Sequence, residues 1–258
     1  MSEPLRTRGP LWALYERVAM HVGLGSLALL CLSWLPFALL LQPLLPRKVG
    51  QRLGRQTISF GFRLYLRLLE TLCACRFDLS EIEGLRDQGP LVIAANHPSL
   101  LDAVILVSRL PDAICVMKAS LMDNLLFGSA ARLARYIRND GILQIIAGGC
   151  EALHEGGHLV LFPEGSRTSD FPVNPLAPTL AMIARRAGVP VQTVLLDFST
   201  PYLGKAWPLF QPPVLPLTVR ARLGRRFDAP AEHTVFTAEL EAYFRREVRS
   251  PADTDRHD

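Results

Sequence analysis

The sequence lacks the signatures of two large classes of protein: disulfide-stapled secreted domains and nucleic-acid-binding domains. Its five cysteines (Cys31, Cys73, Cys75, Cys115 and Cys150) are an odd number and include no C-x-x-C pair. We therefore expect small buried side chains in a reducing compartment instead of a disulfide framework. The chain has no zinc-finger spacing, RNP-like string or Arg/Lys-rich arm, and its net charge is only +4. We predict no nucleic-acid partner.

Formal charge is also missing from one long stretch, residues 18–46, where His21 is the only residue that titrates near neutral pH. About 20 apolar residues cross a bilayer core, so the stretch is long enough to span a membrane. Three prolines interrupt it. A kinked span, a re-entrant pair of short helices and a helix lying in one leaflet are all compatible with the pattern. The stretch is too long for the h-region of a cleaved signal peptide.

The next stretch, residues 50–72, has the pattern of a basic amphipathic helix. Apolar residues recur at spacings of three and four, while Arg52, Arg55, Ser59 and further arginines fall on another face. Such a helix beside an apolar segment is typical of a bilayer surface, although a solvated charged face gives the same pattern. Positive charge is heavier after the apolar stretch than before it, which favours a cytoplasmic location for the C-terminal part.

From about residue 77 onwards, strand-like and helix-like segments alternate. This alternation predicts an α/β fold, a mixed sheet flanked by helices, with an N-terminal membrane-associated helical segment. We place that segment at residues 1–74, the α/β domain at residues 75–249 and a frayed tail at residues 250–258. The predicted strands lie near residues 91–95, 113–117, 158–162, 191–196 and 217–223, and the predicted helices near residues 99–109, 121–137, 142–155, 177–187 and 235–249.

Two polar stretches follow predicted strands and hold the candidate chemistry. The first, residues 96–102 (NHPSLLD), follows the apolar run at residues 91–95. In α/β proteins, ligands and chemistry collect outside the carboxyl ends of the strands. A neutral histidine can take a proton from a hydroxyl, and a carboxylate can fix its tautomer and stabilise the imidazolium. His97 and Asp102 are therefore candidate catalytic residues.

The spacing of His97 and Asp102 sets a geometric condition on this pair. On a regular helix, five residues place two side chains about 140° apart. The two can meet only if His97 precedes the helix and Asp102 lies in its first turns. Pro98 favours this because proline is suited to the first helical position. The alternative is structural: Asn96 or His97 caps the helix, and Asp102 interacts with the positive end of its dipole.

The second polar stretch, residues 162–168 (FPEGSRT), follows the strand-like run at residues 159–161. It places a carboxylate, a flexible turn, a hydroxyl and a guanidinium after a strand, and arginine suits bidentate binding of phosphate or carboxylate. Lys118 ends another strand-like run and offers a point charge for phosphate. The alternatives are an ordinary turn and a solvated strand end.

These residues resemble the lysophospholipid (glycerolipid) acyltransferase family, of the 1-acylglycerol-3-phosphate acyltransferase type. The family's NHxxxxD block matches residues 96–102, and its FPEGxR[ST] block matches residues 162–168. Both blocks occur in the family's order, after apolar strands and behind a membrane-seeking N-terminus. The resemblance covers about residues 75–220, and residues 187–191 (AGVPV) resemble a later block of the family.

The resemblance implies an O-acyltransferase of membrane lipid biosynthesis. Such an enzyme moves a fatty acyl group from acyl-CoA or acyl-ACP, as co-substrate, to the hydroxyl of a lysophospholipid-like acceptor. His97 is then the general base, and Asp102 orients it. No metal, further cofactor or covalent enzyme intermediate is implied. The expected partners are the lipid bilayer, the acyl donor and the acceptor, with the catalytic domain on the cytoplasmic side of an inner membrane.

The resemblance also implies a set of substrate-binding residues. Glu164 and Gly165 shape the site, Arg167 holds an acceptor phosphate or a similar anion, and Lys118 matches a basic position of phosphate-using members. The full predicted set is Glu164, Gly165, Ser166, Arg167 and Lys118.

Two stretches depart from the family pattern. Residues 136–140 (YIRND) match a second block only approximately, and residues 174–179 (NPLAPT) lack the Lys and Gly that many members carry there. The acceptor therefore stays open. Residues 117–120, 185–193 and 201–203 are similar to a bacterial subgroup associated with aryl polyene or xanthomonadin-type lipids. Acyl transfer that assembles an aryl-polyene-type lipid is the alternative.

Two further hypotheses compete with acyl transfer. Residues 154–158 (HEGGH) fit H-E-x-x-H, which binds zinc only when one helix presents both histidines on one face. Two central glycines disfavour a helix there by about 1 kcal/mol each, so we predict no metal site. A non-enzymatic membrane-surface lipid-binding protein would explain residues 18–72, but it leaves the two polar stretches unexplained.

Overall fold

The structure, a computed structural model, describes residues 9–248. Residues 1–8 of the predicted N-terminal segment and the predicted tail at residues 250–258 lie outside the described residues. The helices are α1 (Pro10–Leu44), α2 (Arg47–Leu72), α3 (Ser80–Glu83), α4 (Asp102–Arg109), α5 (Ala119–Asp123), α6 (Leu125–Leu133), α7 (Ile142–His154), α8 (Thr179–Ala187) and α9 (His233–Glu247). The strands are β1 (Cys75–Asp78), β2 (Val92–Ala95), β3 (Ala113–Lys118), β4 (Ile137–Asn139), β5 (His158–Leu161), β6 (Val191–Phe198) and β7 (Leu217–Phe227).

The strands form one mixed sheet in the order β1-β7-β6-β2-β5-β3-β4. All neighbouring strands run parallel except β6 and β7, which are antiparallel. One apolar core lies between the sheet and α2, α3 and α4. A second core lies on the opposite face, under α7, α8 and α9. The predicted fold class, a mixed sheet flanked by helices behind an N-terminal helical segment, is confirmed.

The five predicted strands are present, and the two that were not predicted are the edge strands β1 and β4, of four and three residues. The helix predicted over residues 121–137 is wrong. It is divided at Asn124, whose Oδ1 accepts hydrogen bonds from the backbone N–H groups of Leu126 and Phe127 and so begins α6. Ile137, at the predicted helix end, belongs to β4.

The helix predicted over residues 99–109 begins later than expected, at Asp102. Before that residue, hydrogen bonds from the backbone to side chains take the place of a first helical turn. The Asp102 carboxylate accepts a hydrogen bond from the Ser99 N–H, and the Ser99 hydroxyl accepts one from the Leu101 N–H. Pro98 therefore lies in the turn before the helix and not at its first position. The alternative in which Asn96 or His97 caps the helix is also wrong, because the N-cap residue is Leu101.

The N-terminal segment is an antiparallel pair of helices. α1 continues through Pro36 and Pro43 as one helix, so a re-entrant pair of short helices is wrong. α2 returns along it, and the Tyr15 hydroxyl donates a hydrogen bond to the Leu72 carbonyl at 3.0 Å. Within residues 9–248, α1 is the one helix long and apolar enough to cross a membrane, and only 6% of its most apolar stretch is buried. α1 therefore presents an apolar surface outward.

The predicted basic face of α2 is divided between solvent and the protein interior. Arg55 and Ser59 are buried. The Arg55 Nε donates to the Ala134 carbonyl at 3.1 Å, and the Ser59 hydroxyl donates to the Ser108 carbonyl at 3.2 Å. Arg52 on the same predicted face is exposed. α2 packs against α4 and α6 of the α/β domain, which is why part of this face is not available to a bilayer.

The five cysteines are all free thiols. Four are buried and Cys31 is partly exposed. Burial raises the pKa of the Cys75 and Cys115 thiols to about 12. These two side chains are therefore neutral, unreactive members of the core, as predicted.

Candidate active site

The two polar stretches emerge side by side at one edge of the sheet. β2 and β5 are parallel neighbours, with Ala94 opposite Leu161. We call residues 96–102, which follow β2, the first corner, and residues 162–168, which follow β5, the second corner. Because both strands end at the same edge, the corners come into direct contact. The Thr168 N–H donates to the His97 carbonyl at 2.7 Å.

His97 and Asp102 form a close pair in the first corner. The His97 Nδ1 lies 2.8 Å from the Asp102 Oδ2, which also accepts a hydrogen bond from the Ser99 N–H at 2.8 Å. His97 precedes α4 and Asp102 is its first residue, so the geometric condition set by the spacing is met. The Asp102 side chain is fully buried, whereas 18% of the His97 side chain is exposed. Since Nδ1 faces the carboxylate, Nε2 is the nitrogen left to exchange a proton with a substrate.

Two features of the surroundings adjust this pair. The Phe162 ring stacks on the His97 ring, with centroids 4.0 Å apart and planes 15° apart, and so limits rotation of the imidazole. Burial raises the pKa of Asp102 to about 6, against the opposing effect of the hydrogen bond from His97. A carboxylate held in a dry site interacts more strongly with a positive charge than one in water. The buried Asp102 carboxylate therefore contacts the imidazole ring in a site with little water.

Glu164 fastens the second corner to the first. Its Oε1 accepts hydrogen bonds from the His97 N–H at 2.9 Å and from the Thr168 hydroxyl at 2.8 Å. Its Oε2 accepts from the Asn174 N–H at 2.8 Å. All three contacts are to this protein, and the first of them holds the backbone of His97 in place. The role of Glu164 in shaping a substrate site stays a prediction.

Asn174 lies in the stretch that departs from the family pattern, and no motif or spacing predicted it as part of the site. Its side-chain Oδ1 accepts hydrogen bonds from the backbone N–H groups of Ser169 and Asp170, and its Nδ2 donates to the Arg167 carbonyl. Asn174 is buried. It therefore fixes the path of the chain after the second corner.

Asn96 is a second residue whose role differs from the expectation. Its Nδ2 donates to the Leu196 carbonyl at 3.0 Å, and its Oδ1 accepts from the Leu196 N–H at 2.8 Å. The side chain thus prolongs the hydrogen bonding between β2 and β6 beyond the end of β2. Asn96 holds the base of the first corner to the sheet, and a short polar amide directly after the strand is the signal that could have identified it.

A third segment, residues 201–204 (PYLG), completes the site and was not predicted as part of it. The Ser99 hydroxyl donates to the Tyr202 carbonyl at 2.9 Å, and the Leu100 N–H donates to the Leu203 carbonyl at 3.2 Å. Arg167 contacts the same segment from the second corner. Pro201 and Gly204, a few residues after the predicted strand at residues 191–196, are the signal that could have identified this segment as a third turn at the same edge.

The other predicted substrate-binding residues, Gly165, Ser166 and Lys118, are exposed and differ in their position relative to His97 and Asp102. Gly165 is exposed and has φ +68, a left-handed conformation that glycine adopts without strain. Ser166 is exposed, and within residues 9–248 its hydroxyl forms one hydrogen bond, to the Arg167 carbonyl at 3.3 Å. Lys118 is exposed at the end of β3, and β5 separates that strand from β2. Within residues 9–248, no hydrogen bond or ion pair links Ser166 or Lys118 to His97 or Asp102.

A cavity of about 650 Å³ opens beside the first corner. Asn96 and Pro98, which flank His97 in the chain, lie on its wall together with Thr168 of the second corner. Much of the remaining wall comes from residues 196–211. The cavity is of a size that binds a small molecule or part of a lipid.

The competing zinc motif does not have the structure that zinc binding requires. His154 is the last residue of α7 and His158 is the first of β5. Gly156 between them has φ +87, which ends the helix. The two histidines are therefore not on one helical face. Within residues 9–248, no cluster of three or more His, Cys, Asp or Glu side chains could hold a metal ion.

Comparison with known proteins identifies the relatives of this chain. Residues 76–197 match the family model described as Acyltransferase. The chain is 33% identical over 105 residues to the 1-acyl-sn-glycerol-3-phosphate acyltransferase of Helicobacter pylori, a match that covers 37% of this chain and 44% of that protein. It is 24% identical over 213 residues to the protein of the same name from Pseudomonas aeruginosa, a match that covers 80% of this chain and 79% of that protein.

The fold has a solved counterpart. The crystal structure of the 1-acyl-sn-glycerophosphate (LPA) acyltransferase, PlsC, from Thermotoga maritima superposes with a TM-score of 0.70 at 16% sequence identity, over 96% of this chain and 98% of that one. The likeness therefore includes the N-terminal helical pair as well as the α/β domain. The family match over residues 76–197 confirms, for the α/β domain, the resemblance seen in the sequence, and the solved structure shows the fold alone.

Proposed function

We propose that this chain is an O-acyltransferase that moves a fatty acyl group from an acyl thioester, acyl-CoA or acyl-ACP, to the hydroxyl of a lysophospholipid-like acceptor. The observation that carries the proposal is the 2.8 Å contact between the His97 Nδ1 and the buried Asp102 carboxylate. This contact leaves Nε2 as the proton acceptor. The two relatives named as 1-acyl-sn-glycerol-3-phosphate acyltransferases support the acceptor class.

The reaction follows from the chemistry of the pair. The His97 Nε2 takes the proton of the acceptor hydroxyl as its oxygen attacks the thioester carbonyl carbon. A C–O bond forms, and collapse of the tetrahedral intermediate breaks the C–S bond. The leaving thiolate takes the proton from the imidazolium. Asp102 keeps the imidazole in the tautomer with Nδ1–H and stabilises the imidazolium that forms between the two transfers.

The location we propose is the bilayer surface, with the site on the cytoplasmic side of an inner membrane. The apolar length and outward apolar surface of α1 support membrane association. The acyl donor is water-soluble and the product is a membrane lipid, so an interfacial site gives access to both. Aromatic side chains on the cavity wall, Phe171 and Trp207, support the alternative acceptor of the aryl-polyene type. A lipid-binding protein without activity is the less favoured alternative.

The test is acyl transfer by the full chain in lipid vesicles, with His97→Ala and Asp102→Asn compared with wild type. Both variants should lose about 10²–10⁴-fold in kcat, the usual contribution of general acid–base catalysis. Both should still bind the vesicles. His154→Ala is the matched control, since His154 is exposed and outside the site, and it should keep wild-type kcat.

The outcomes separate the hypotheses. Wild-type turnover by His97→Ala or Asp102→Asn contradicts the proposed mechanism. Vesicle binding without transfer by the wild-type chain, with donors of both kinds and several acceptors, supports the non-enzymatic alternative. Loss of activity in His154→Ala points to the zinc motif.

A further inference from the structure

The connection between β6 and β7 contains an uncharged apolar loop. No residue between Lys205 and Arg220 carries a charge. We call residues 206–216 the proline loop, since four of these eleven residues are prolines. β6 runs parallel to β2, so the loop follows it at the edge of the sheet where the two corners lie. The proline loop is therefore beside the candidate active site, and part of it lies on the wall of the cavity.

The proline loop holds large apolar side chains in an exposed position. Leu209 and Phe210 are both exposed, Phe210 to 72%. A tight turn fixes them there, because the Trp207 Nε1 donates to the Gln211 carbonyl at 3.1 Å and the Gln211 N–H donates to the Pro208 carbonyl at 3.0 Å. The prolines restrict the backbone further. Exposed apolar side chains on a rigid turn are typical of a surface that binds a partner, since little freedom is lost on binding.

The proline loop is fastened to the first turns of α1. The Leu215 N–H donates to the Glu16 Oε1 at 3.0 Å, and the same oxygen accepts a hydrogen bond from the Trp12 Nε1 at 3.1 Å. Glu16 is buried at this junction. The same turns of α1 expose Leu11 and Leu14. The exposed apolar side chains of the proline loop and those of α1 are therefore neighbours on one surface.

The junction with α1 lies at the end of the charge-free stretch, residues 18–46. Arg17, directly before that stretch, is exposed. Trp12 and Tyr15 are close to each other, with ring centroids 5.3 Å apart. Tryptophan and tyrosine concentrate at the level of the lipid head groups, and arginine extends its charge towards water from the same level. In a bilayer that holds the charge-free stretch, these residues place the junction and the proline loop at the boundary between head groups and acyl chains.

From these contacts we propose that the proline loop is a second membrane contact, in which Leu209 and Phe210 enter the apolar part of a lipid bilayer beside α1. The proposal rests on the membrane location proposed above and adds to it a contact made by the α/β domain. A bilayer fits this surface better than a protein partner, because the loop is uncharged and adjoins a helix long enough to cross a membrane. Trp207, Pro208 and Gln211 of the loop lie on the cavity wall, so the contact places the cavity at the bilayer surface.

The test measures the depth of residue 210 in the full chain reconstituted into phospholipid vesicles. The parent protein carries Trp12→Phe and Trp34→Phe and keeps Trp207, whose hydrogen bond holds the turn. Phe210→Trp is then added, and the emission of the parent is subtracted. The added tryptophan should emit at shorter wavelength in vesicles than in detergent-free buffer with urea. Its emission should be quenched when the vesicles are made from phospholipids brominated on the acyl chains.

Val235→Trp in the same parent is the matched control. Val235 is exposed at the start of α9, beyond the far end of β7, and a tryptophan there should not be quenched. A protein that keeps Trp34 checks that α1 is in the bilayer. Quenching of Trp34 without quenching at residue 210 overturns the second contact, and so does equal quenching at residues 210 and 235. Emission at residue 210 that shifts with protein concentration and is not quenched by bromine assigns the loop to a second copy of the chain, which also overturns the proposal.

A kinetic measurement tests the consequence for lipid access. Phe210 does not line the cavity. Because burial of a phenylalanine side chain changes a partition constant by about tenfold or more, Phe210→Ser should raise the KM for an acceptor embedded in vesicles about tenfold. The KM for a short-chain acceptor in solution should not change, and Val235→Ser should change neither. An equal rise for both acceptors overturns the proposal. The quenching result does not depend on transfer, so a wild-type chain without activity contradicts the proposed function and leaves the membrane contact to be decided by quenching.

Discussion

Two short histidine motifs in this chain have similar sequences and very different geometry in the folded protein. In NHPSLLD, at residues 96–102, a turn held by side-chain hydrogen bonds brings His97 into contact with Asp102. In HEGGH, at residues 154–158, Gly156 has a left-handed conformation, so His154 ends a helix and His158 begins a strand. His158 is buried with its Nδ1 unpartnered among the described residues, and burial lowers its pKa. Its partner in the pattern, His154, is exposed.

The two motifs differ in the hydrogen bonds that hold the backbone around each histidine. The backbone of His97 is held by Glu164 and Thr168 from a second strand end. HEGGH has no comparable support: Glu155 is exposed, and its side chain has no hydrogen bond or ion pair within residues 9–248. A reactive side chain needs its position fixed by neighbours, and only the first motif has them. Changes at equivalent places in the two motifs should therefore have very different effects.

We expect the largest difference in stability and activity when one glutamate is removed at each histidine: Glu164, which contacts the backbone of His97, and Glu155, which follows His154 in the chain. Glu164→Ala leaves the N–H groups of His97 and Asn174 without their acceptor. At about 1–3 kcal/mol for each unsatisfied donor, the free energy of unfolding should fall by about 2–6 kcal/mol, with a large loss of kcat. Glu155→Ala is the matched control in HEGGH and should change stability by less than about 0.5 kcal/mol. Urea unfolding in detergent and the transfer assay measure both. Similar effects of the two changes would contradict a fastening role for Glu164.

Local patterns predicted much of the element order and the pairing of the corners. The five central strands follow from apolar runs, and parallel β2 and β5 then place residues 96–102 and 162–168 at one edge. The start of α4 was predicted too early. Proline suits a first helical turn, but the side chains of Ser99 and Asp102 bond the backbone there and hold a turn instead.

The contacts that could not be predicted join residues that are far apart in the chain. Arg55 lies on a basic face in the sequence and is buried because its guanidinium reaches the Ala134 carbonyl, 79 residues away. The segment at residues 201–204 joins the site through hydrogen bonds to residues about 100 positions earlier. The Arg167 Nη1 donates to the Leu203 and Gly204 carbonyls, 36 and 37 residues away, and the anion expected at Arg167 stays a prediction. No period or spacing in the sequence encodes such contacts.

The buried Asp102 should make the first motif less stable than a neutral substitute would. Burial raises its pKa to about 6 from the ordinary 3.8. The folded state therefore binds this proton more tightly than the unfolded state. The stability that Asp102 contributes is present below about pH 3.8 and is lost as the pH rises through about 6. At pH 8, Asp102→Asn should be more stable than wild type by at most about 3 kcal/mol, at 1.36 kcal/mol for each pKa unit.

Unfolding by urea across pH 3.5 to 8 checks this. The difference between Asp102→Asn and wild type should shrink towards zero at the acid end, and kcat should be low in the variant at every pH. A variant less stable than wild type at pH 8 would mean that the ion pair with His97 outweighs the burial of the carboxylate.

The smallest difference in stability is expected between two glycines, Gly156 of HEGGH and Gly165 of the second corner, which contacts the first motif. Their alanine variants separate the effect of backbone strain from an effect on activity. Gly156 and Gly165 both have positive φ, +87 and +68, and an added Cβ would meet nothing within 4 Å at either position. Alanine at either site therefore meets the same backbone penalty, about 1–2 kcal/mol for a left-handed residue, without a steric clash. The two variants should lose similar stability in thermal unfolding, and asparagine, which tolerates this conformation better, should recover part of it in both. Only Gly165→Ala should also lower kcat/KM, since its turn carries Glu164 on one side and Arg167 on the other. Equal activity of the two alanine variants would mean that the second corner tolerates a shift of its turn, and that the contacts of Glu164 alone hold His97 in place.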